Sequence, residues 1–85
     1  MVYMEDYTRK FDVVSKRAEI RQILTTVFES LREKGYNPVN QIVGYILSED
    51  PTYITNYNGA RTLICRLDRD ELLQELVTHY LESKE

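Results

Sequence analysis

The stretch Ala18-Glu-Ile-Arg-Gln-Ile-Leu-Thr-Thr-Val-Phe-Glu-Ser-Leu-Arg-Glu-Lys-Gly35 decides the architecture. Ile20, Ile23, Leu24, Val27, Phe28 and Leu31 recur at i, +3, +4, +7, +8 and +11, one face of a 3.6-residue period. Arg21, Gln22, Glu29, Arg32 and Glu33 fall elsewhere, so the spacing predicts an amphipathic helix over 18–34. Gly35, after Lys34 in the last turn, supplies the left-handed residue that ends such a helix.

Outward from that helix the punctuation is regular. Asn37-Pro38 starts a second helix, because Asn can cap free N–H groups and Pro is tolerated at the first helical position. Val39, Ile42, Val43, Ile46 and Leu47 supply its buried face. Gly44 in its middle costs about 1 kcal/mol against Ala, and close approach of another backbone is the expected compensation. Ser48-Glu-Asp-Pro51 stops the helix, and Asp50-Pro51 starts a short turn over Thr52 to Ile54. After the polar break Thr55–Gly59, the spacing of Ala60, Leu63, Ile64 and Leu67 predicts a two-turn helix. Asp68-x-x-Glu71 resembles a capping box, with Asp in place of Ser or Thr. It opens a final helix carrying Leu72, Leu73, Leu76, Val77, Tyr80 and Leu81, which frays into Ser83–Glu85. Upstream, residues 1–17 mix Glu5, Asp6, Arg9, Lys10, Asp12, Lys16 and Arg17 with scattered apolar residues. They read as a flexible tail with a short extended piece at Phe11–Val14.

No stretch alternates with period two for long. The fold class is therefore all-α: a small bundle of three main helices plus one or two short ones. A tail over 1–17 precedes a helical dimerisation and regulatory domain over 18–85.

Composition narrows the function. The 85 residues hold one Cys (Cys65), one His (His79), 11 Lys plus Arg and 14 Asp plus Glu, a net charge of −3. One Cys makes no intramolecular disulfide, and one His leaves no Cys/His zinc constellation. The longest apolar run, Ile42–Leu47, is far below the ~20 residues that span a membrane. The first residues lack the basic region and apolar run of a signal peptide. These features lead to the expectation of a cytoplasmic protein without cofactor or metal. A chain this short buries little more than ~60% of its unfolded surface. Self-association is a common remedy, so a homodimer is expected. The seven tyrosines suit an interface. Tyr45, Tyr53 and Tyr57 are candidates for exposed contacts, with core packing the equal alternative.

No catalytic group stands out. His79 lies between Val77 and Tyr80 near the edge of an apolar face, Cys65 reads as a small semi-buried residue, and Gly35, Gly44 and Gly59 fit no phosphate-loop spacing. Asp68, Asp70 and Glu71 are explained by capping and the helix dipole. Arg61, Arg66 and Arg69 cluster in sequence around the short helix. They offer three readings: a solvated or partner-contact face, a helix-turn-helix-like nucleic-acid contact, or a receptor for a phosphorylated side chain. The interleaved acids and the mild net acidity weigh against nucleic acid. Thr8, in Thr8-Arg9-Lys10-Phe11, is a hydroxyl that a kinase can reach on a tail. Phosphate there adds roughly −1.5 to −2 charge.

Glu33-Lys-Gly-Tyr-Asn-Pro-Val-Asn-Gln-Ile-Val-Gly-Tyr-Ile-Leu-Ser48 resembles the signature of the IreB family of regulatory phosphoproteins, which includes the ReoM proteins. The resemblance continues through Asp50-Pro51-Thr52-Tyr53-Ile54, Ala60-Arg61, Arg69-Asp70-Glu71-Leu72, Glu75-Leu76-Val77 and Tyr80-Leu81. It implies a cytoplasmic all-helical homodimer with an N-terminal tail whose threonine is phosphorylated by a membrane Ser/Thr kinase bearing PASTA domains. A partner phosphatase reverses the modification. It further implies control of peptidoglycan synthesis and cell-wall antibiotic tolerance. In the ReoM branch this control runs through Clp-dependent degradation of a peptidoglycan precursor enzyme. The family's Thr-x-x-Phe context maps onto Thr8 and Phe11. Arg61 and Arg66 match its arginine-rich stretch, whereas Asn56 and Cys65 stand where relatives often carry Arg. Glu49 replaces a common Gly and Thr55 a common Pro.

Overall fold

A computed structural model describes the backbone of residues 2–82 and the side chains of residues 15–82. Helix α1 runs Val2–Glu33, α2 Pro38–Ser48, α3 Ala60–Ile64 and α4 Arg69–Glu82; two 3₁₀ turns, Pro51–Tyr53 and Tyr57–Gly59, lie between α2 and α3. The described residues contain no strand, in agreement with the all-α expectation.

Helix α1 starts well before Ala18. The backbone over 2–17, including the Phe11–Val14 piece expected to be extended, is helical and continuous with the predicted helix. The stretch contains no Gly or Pro to interrupt a helix, although its apolar residues follow no period. The side chains of residues 1–14, Thr8 among them, and all of residues 83–85 lie outside the described residues. So does the expected fraying at Ser83–Glu85. The short helix α3 is one turn rather than two and ends at Ile64, before Leu67.

The core gathers the predicted stripe. Ile20, Ile23, Val27 and Leu31 of α1 are buried against Tyr45 of α2, Ile54, Ala60 and Ile64, Leu67, and Leu72 of α4. Leu24, Ile42, Ile46, Leu63 and Leu76 pack around them partly buried. Phe28 of the predicted stripe and Val39, Val43 and Leu47 of the expected buried face of α2 are instead exposed, because no described element packs over that side.

The helix ends follow their sequence signals. Gly35 takes φ +87°, its N–H donates to the Arg32 carbonyl at 3.0 Å, and the Tyr36 N–H reaches back to Leu31 at 3.0 Å. This is a Schellman cap, which satisfies carbonyls that the last turn leaves open. Asn37 Oδ1 accepts the Asn40 N–H at 3.1 Å and caps α2. Asp50 accepts from both the Thr52 N–H at 3.0 Å and Thr52 Oγ at 2.7 Å, which starts the first 3₁₀ turn. Helix α4 opens directly after Asp68, whose carbonyl accepts the Leu72 N–H at 2.9 Å; the Glu71 N–H goes to Asp70 Oδ1 at 3.0 Å, not to the Asp68 side chain as the capping box predicts.

Gly44 owes its place to a side chain, not to the neighbouring backbone expected from sequence. A Cβ at this position would lie 2.5 Å from Tyr53 Cε1 and 2.6 Å from Cδ1. The Tyr53 ring therefore lies against the bare helix. Gln41 Nε2, one turn earlier, holds the Tyr53 carbonyl at 2.8 Å.

Candidate functional site

The three arginines drawn together by the sequence are held at three separate places. The Arg61 Nε donates to the Ile54 carbonyl at 2.9 Å and ties α3 to the end of the first 3₁₀ turn. Arg66 reaches Glu19 of α1 at 3.3 Å, both side chains largely exposed. Arg69, the first residue of α4, donates to the Ile46 carbonyl at 3.0 Å and pairs with Glu49 at 2.7 Å. Each guanidinium thus has an intramolecular partner, and Arg61 and Arg69 act on backbone carbonyls. Such hydrogen bonds from a charged donor contribute roughly 1.5–3 kcal/mol. Fastening the 3₁₀ turn and the end of α2 is therefore the clearest role of Arg61 and Arg69.

The tyrosine candidates divide. Tyr45 belongs to the core. Burial raises its phenol above the ordinary value, assisted by the Cys65 thiol with which the hydroxyl makes a hydrogen bond. Tyr53 covers Gly44. Tyr57 is partly exposed; Lys34 Nζ lies 5.0 Å from its ring centroid, and a hydrogen bond to Glu33 raises its phenol. Cys65 is exposed rather than semi-buried, at the C-cap of α3. His79 is exposed on α4. Among the described residues, no group of three or more His, Cys, Asp or Glu is placed to hold a metal ion. No described helix is long and apolar enough to cross a membrane.

Two features lay beyond the reach of sequence reasoning. The first is an apolar groove of about 420 Å³ between α1, α2 and α4, lined by Leu24, Phe28, Val39, Ile42, Val43 and Leu76 among others. Val39 at its rim is 62% accessible, and elsewhere on α2 and α4 Leu47 is 80% and Tyr80 72% accessible. Leu73 and Val77 extend the same character along α4. Monomeric surfaces scatter such residues singly, whereas a contiguous set marks an interaction face. The α2 periodicity was legible, but which side would be left uncovered was not.

The second is an ion-pair cluster joining α1 to α4. Glu75 is only 6% exposed and accepts from Arg17 Nε at 2.8 Å and Arg21 Nε at 3.4 Å. Arg17 also reaches Glu82 at 3.6 Å, and Lys16 pairs with Glu71 at 3.5 Å. On α4 the acids at 71, 75 and 82 share a face by helical spacing, opposite the cations at 16, 17 and 21 of α1. The partners lie more than fifty residues apart, so no local pattern announces them.

Thr8 sits on the helical backbone of α1, its side chain outside the described residues. Residues 6–82, most of the chain and inclusive of Thr8 and Phe11, match a family model described as the IreB regulatory phosphoprotein.

Proposed function

The chain belongs to the IreB family of regulatory phosphoproteins, and from that premise we propose that it is a non-enzymatic cytoplasmic regulator switched at Thr8. A PASTA-type Ser/Thr kinase adds the phosphate and its phosphatase removes it. The regulated process is peptidoglycan synthesis and, with it, cell-wall antibiotic tolerance. Clp-dependent proteolysis of a peptidoglycan precursor enzyme is the route. The observation that carries the reading is the family match over 6–82, with Thr8-Arg9-Lys10-Phe11 inside it. The scarcity of catalytic side chains supports a protein that acts by contact.

The acting unit is a homodimer. The apolar groove between α1, α2 and α4, together with Leu47, Leu73, Val77 and Tyr80, is the face that a second copy covers. A stable interface buries about 800 Å² per partner. Arg66 is the most exposed of the three arginines and remains a candidate contact for a partner or for phosphate.

Incubation with a PASTA-type kinase domain and mapping by mass spectrometry tests the switch. Labelling should fall on Thr8 and vanish in Thr8→Ala; unchanged labelling of that variant removes the assignment. Light scattering at micromolar concentration should give twice the 10.1 kDa chain mass, and a stable monomer refutes the dimer. Pull-downs with unmodified and phosphorylated protein should retain different partners, and identical sets would sink the switch.

A further inference from the structure

The second 3₁₀ turn, where it runs into α3, holds a reactive dipeptide that the function proposed above does not use. Asn58 and Gly59 both take left-handed backbone, φ 60° with ψ 20° and φ 71° with ψ 15°. The Ala60 N–H donates to the Tyr57 carbonyl, so residues 57–60 form a type I′ turn. Both central residues are exposed, and no described group hydrogen-bonds the Asn58 side chain. Nothing lies within 4 Å of the place that a Cβ on Gly59 would take.

An asparagine followed by glycine can lose its amide without an enzyme. The Gly59 nitrogen gives up its proton to water and attacks Asn58 Cγ. The N–Cγ bond forms, the Cγ–Nδ2 bond breaks, and ammonia leaves as a five-membered imide closes. Water then opens the ring. Cleavage at Cγ gives aspartate with the chain intact. Cleavage at the Asn58 main-chain carbonyl gives isoaspartate, with the chain routed through Cγ. Glycine favours the first step because it has no Cβ to crowd the attacking nitrogen. The other asparagines lack this feature. Asn37 precedes Pro38, which has no N–H, Asn40 precedes Gln41 inside α2, and Asn56 precedes the bulky Tyr57.

The turn holds the reaction back. Ring closure needs the Gly59 nitrogen on the same side of the Asn58 Cα–C bond as Cβ, and at ψ 20° it lies on the far side. The Gly59 N–H is also engaged, donating to the Asn56 carbonyl at 3.2 Å. Only local backbone hydrogen bonds in an exposed segment impose this geometry, and such segments open most readily. The far side of the turn is better held: Ala60 and Ile64 are fully buried, and Arg61 grips the Ile54 carbonyl at 2.9 Å. We propose that Asn58–Gly59 is a self-modifying site, gated by opening of this turn, at which the native protein converts to isoaspartate and aspartate. Aspartate tolerates the left-handed position as asparagine does. Isoaspartate adds a backbone atom inside the ring that the Ala60–Tyr57 hydrogen bond closes. That bond then fails, and α3 loses its fixed entry onto α1. Older copies of the protein thus carry a looser α3.

The test incubates the full chain at neutral pH and follows residue 58 by peptide mass spectrometry, with an isoaspartyl methyltransferase as the probe of the rerouted backbone. Methyl transfer should appear on the peptide holding residue 58 and vanish in Asn58→Gln, whose longer side chain closes its ring far less readily. Arg61→Gln removes one charge-assisted hydrogen bond from the edge of the turn and should speed conversion roughly tenfold. In denaturing urea the parent and this variant should convert at one common rate, above that of the native parent. Should Arg61→Gln fail to fold, urea below the unfolding transition replaces it, and conversion of the parent should rise with urea there. Amide exchange over residues 60–64 should be faster in the isolated isoaspartyl form than in the parent, and unchanged in Asn58→Asp. The site is overturned if the native chain stays unmodified at 58 while the urea-unfolded chain converts. The gate is overturned if the native parent converts as fast as the unfolded chain, or if loosening the turn brings no acceleration. Unchanged exchange over α3 in the isoaspartyl form overturns its structural consequence.

Discussion

Replacing Gly44 by alanine should destabilise the protein, against the ordinary rule for a helix interior. Helix propensity alone favours Ala over Gly by about 1 kcal/mol. The added Cβ, however, would sit 2.5 Å from Tyr53 Cε1 and 2.6 Å from Cδ1, well inside contact distance. The ring must move, because the helix backbone cannot. Tyr53 is 39% exposed, so a little over half of its surface is covered. An aromatic side chain buries about 150–250 Å² in full, which at about 25 cal/mol per Å² makes ejection of this ring cost roughly 2–4 kcal/mol. Set against the propensity gain, Gly44→Ala should lose about 1–3 kcal/mol. Tyr53→Ala removes the obstacle, and in that background Gly44→Ala should gain about 1 kcal/mol. The measurement is urea unfolding followed by circular dichroism, at one fixed protein concentration because association shifts apparent stability. The reasoning is refuted if Gly44→Ala stabilises the parent protein, or if its effect keeps the same sign and size in both backgrounds.

Other substitutions test separate parts of the fold. Ser30 is fully buried in α1 and its hydroxyl has no hydrogen-bond partner; Ser30→Ala should raise stability by about 1 kcal/mol in the same urea assay, since an unmet buried hydroxyl and a poorer helix former are both removed. Glu49 ends α2 with φ 63°, a left-handed conformation that suits glycine, while pairing with Arg69 through a largely exposed carboxylate. Glu49→Gly should gain up to about 1 kcal/mol by relieving strain that exceeds an exposed ion pair, whereas Glu49→Ala should lose stability because it keeps the strain and forfeits the pair. The two hydrogen bonds from Thr52 hold the Asp50 carboxyl below its ordinary 3.8. A carboxylate lowered on folding contributes stability above its unfolded value and loses it as pH falls through the folded value. Thr52→Ala should therefore weaken the protein at neutral pH and flatten its acid unfolding limb below about pH 4, as read from thermal melts across pH.

Local signals carried most of the fold because they act over four or five residues. Gly35, Asn37-Pro38 and Asp50-Pro51 each did what their backbone preferences dictate. The family resemblance also rests on contiguous residues, and the matched range includes all of them. The start of α1 escaped the reading because helicity there follows from the lack of Gly and Pro, not from an apolar stripe. The arginines escaped it for a different reason. Proximity in sequence suggested one site, yet Arg61, Arg66 and Arg69 point to Ile54, Glu19 and Ile46, so their meaning depends on three remote partners. Glu75 carries no local signal of burial, because Arg17 and Arg21 cover it from another element. Whether a polar residue is solvated or buried is set by packing, which local spacing does not encode.

Arg69 joins the first residue of α4 to the last turn of α2, through Ile46 and Glu49. One end of α4 is thus fastened to the bundle independently of the cluster at its middle and far end. Were its contacts with α1 released, a helix held in this way would pivot rather than slide. Over 14 residues the lever is about 21 Å long, and a swing of roughly 20° carries its tip about 7 Å while its root scarcely moves. Small rotations at the base would thus become large displacements near Tyr80, and a distance probe placed there would register movement to which one at residue 70 stayed blind.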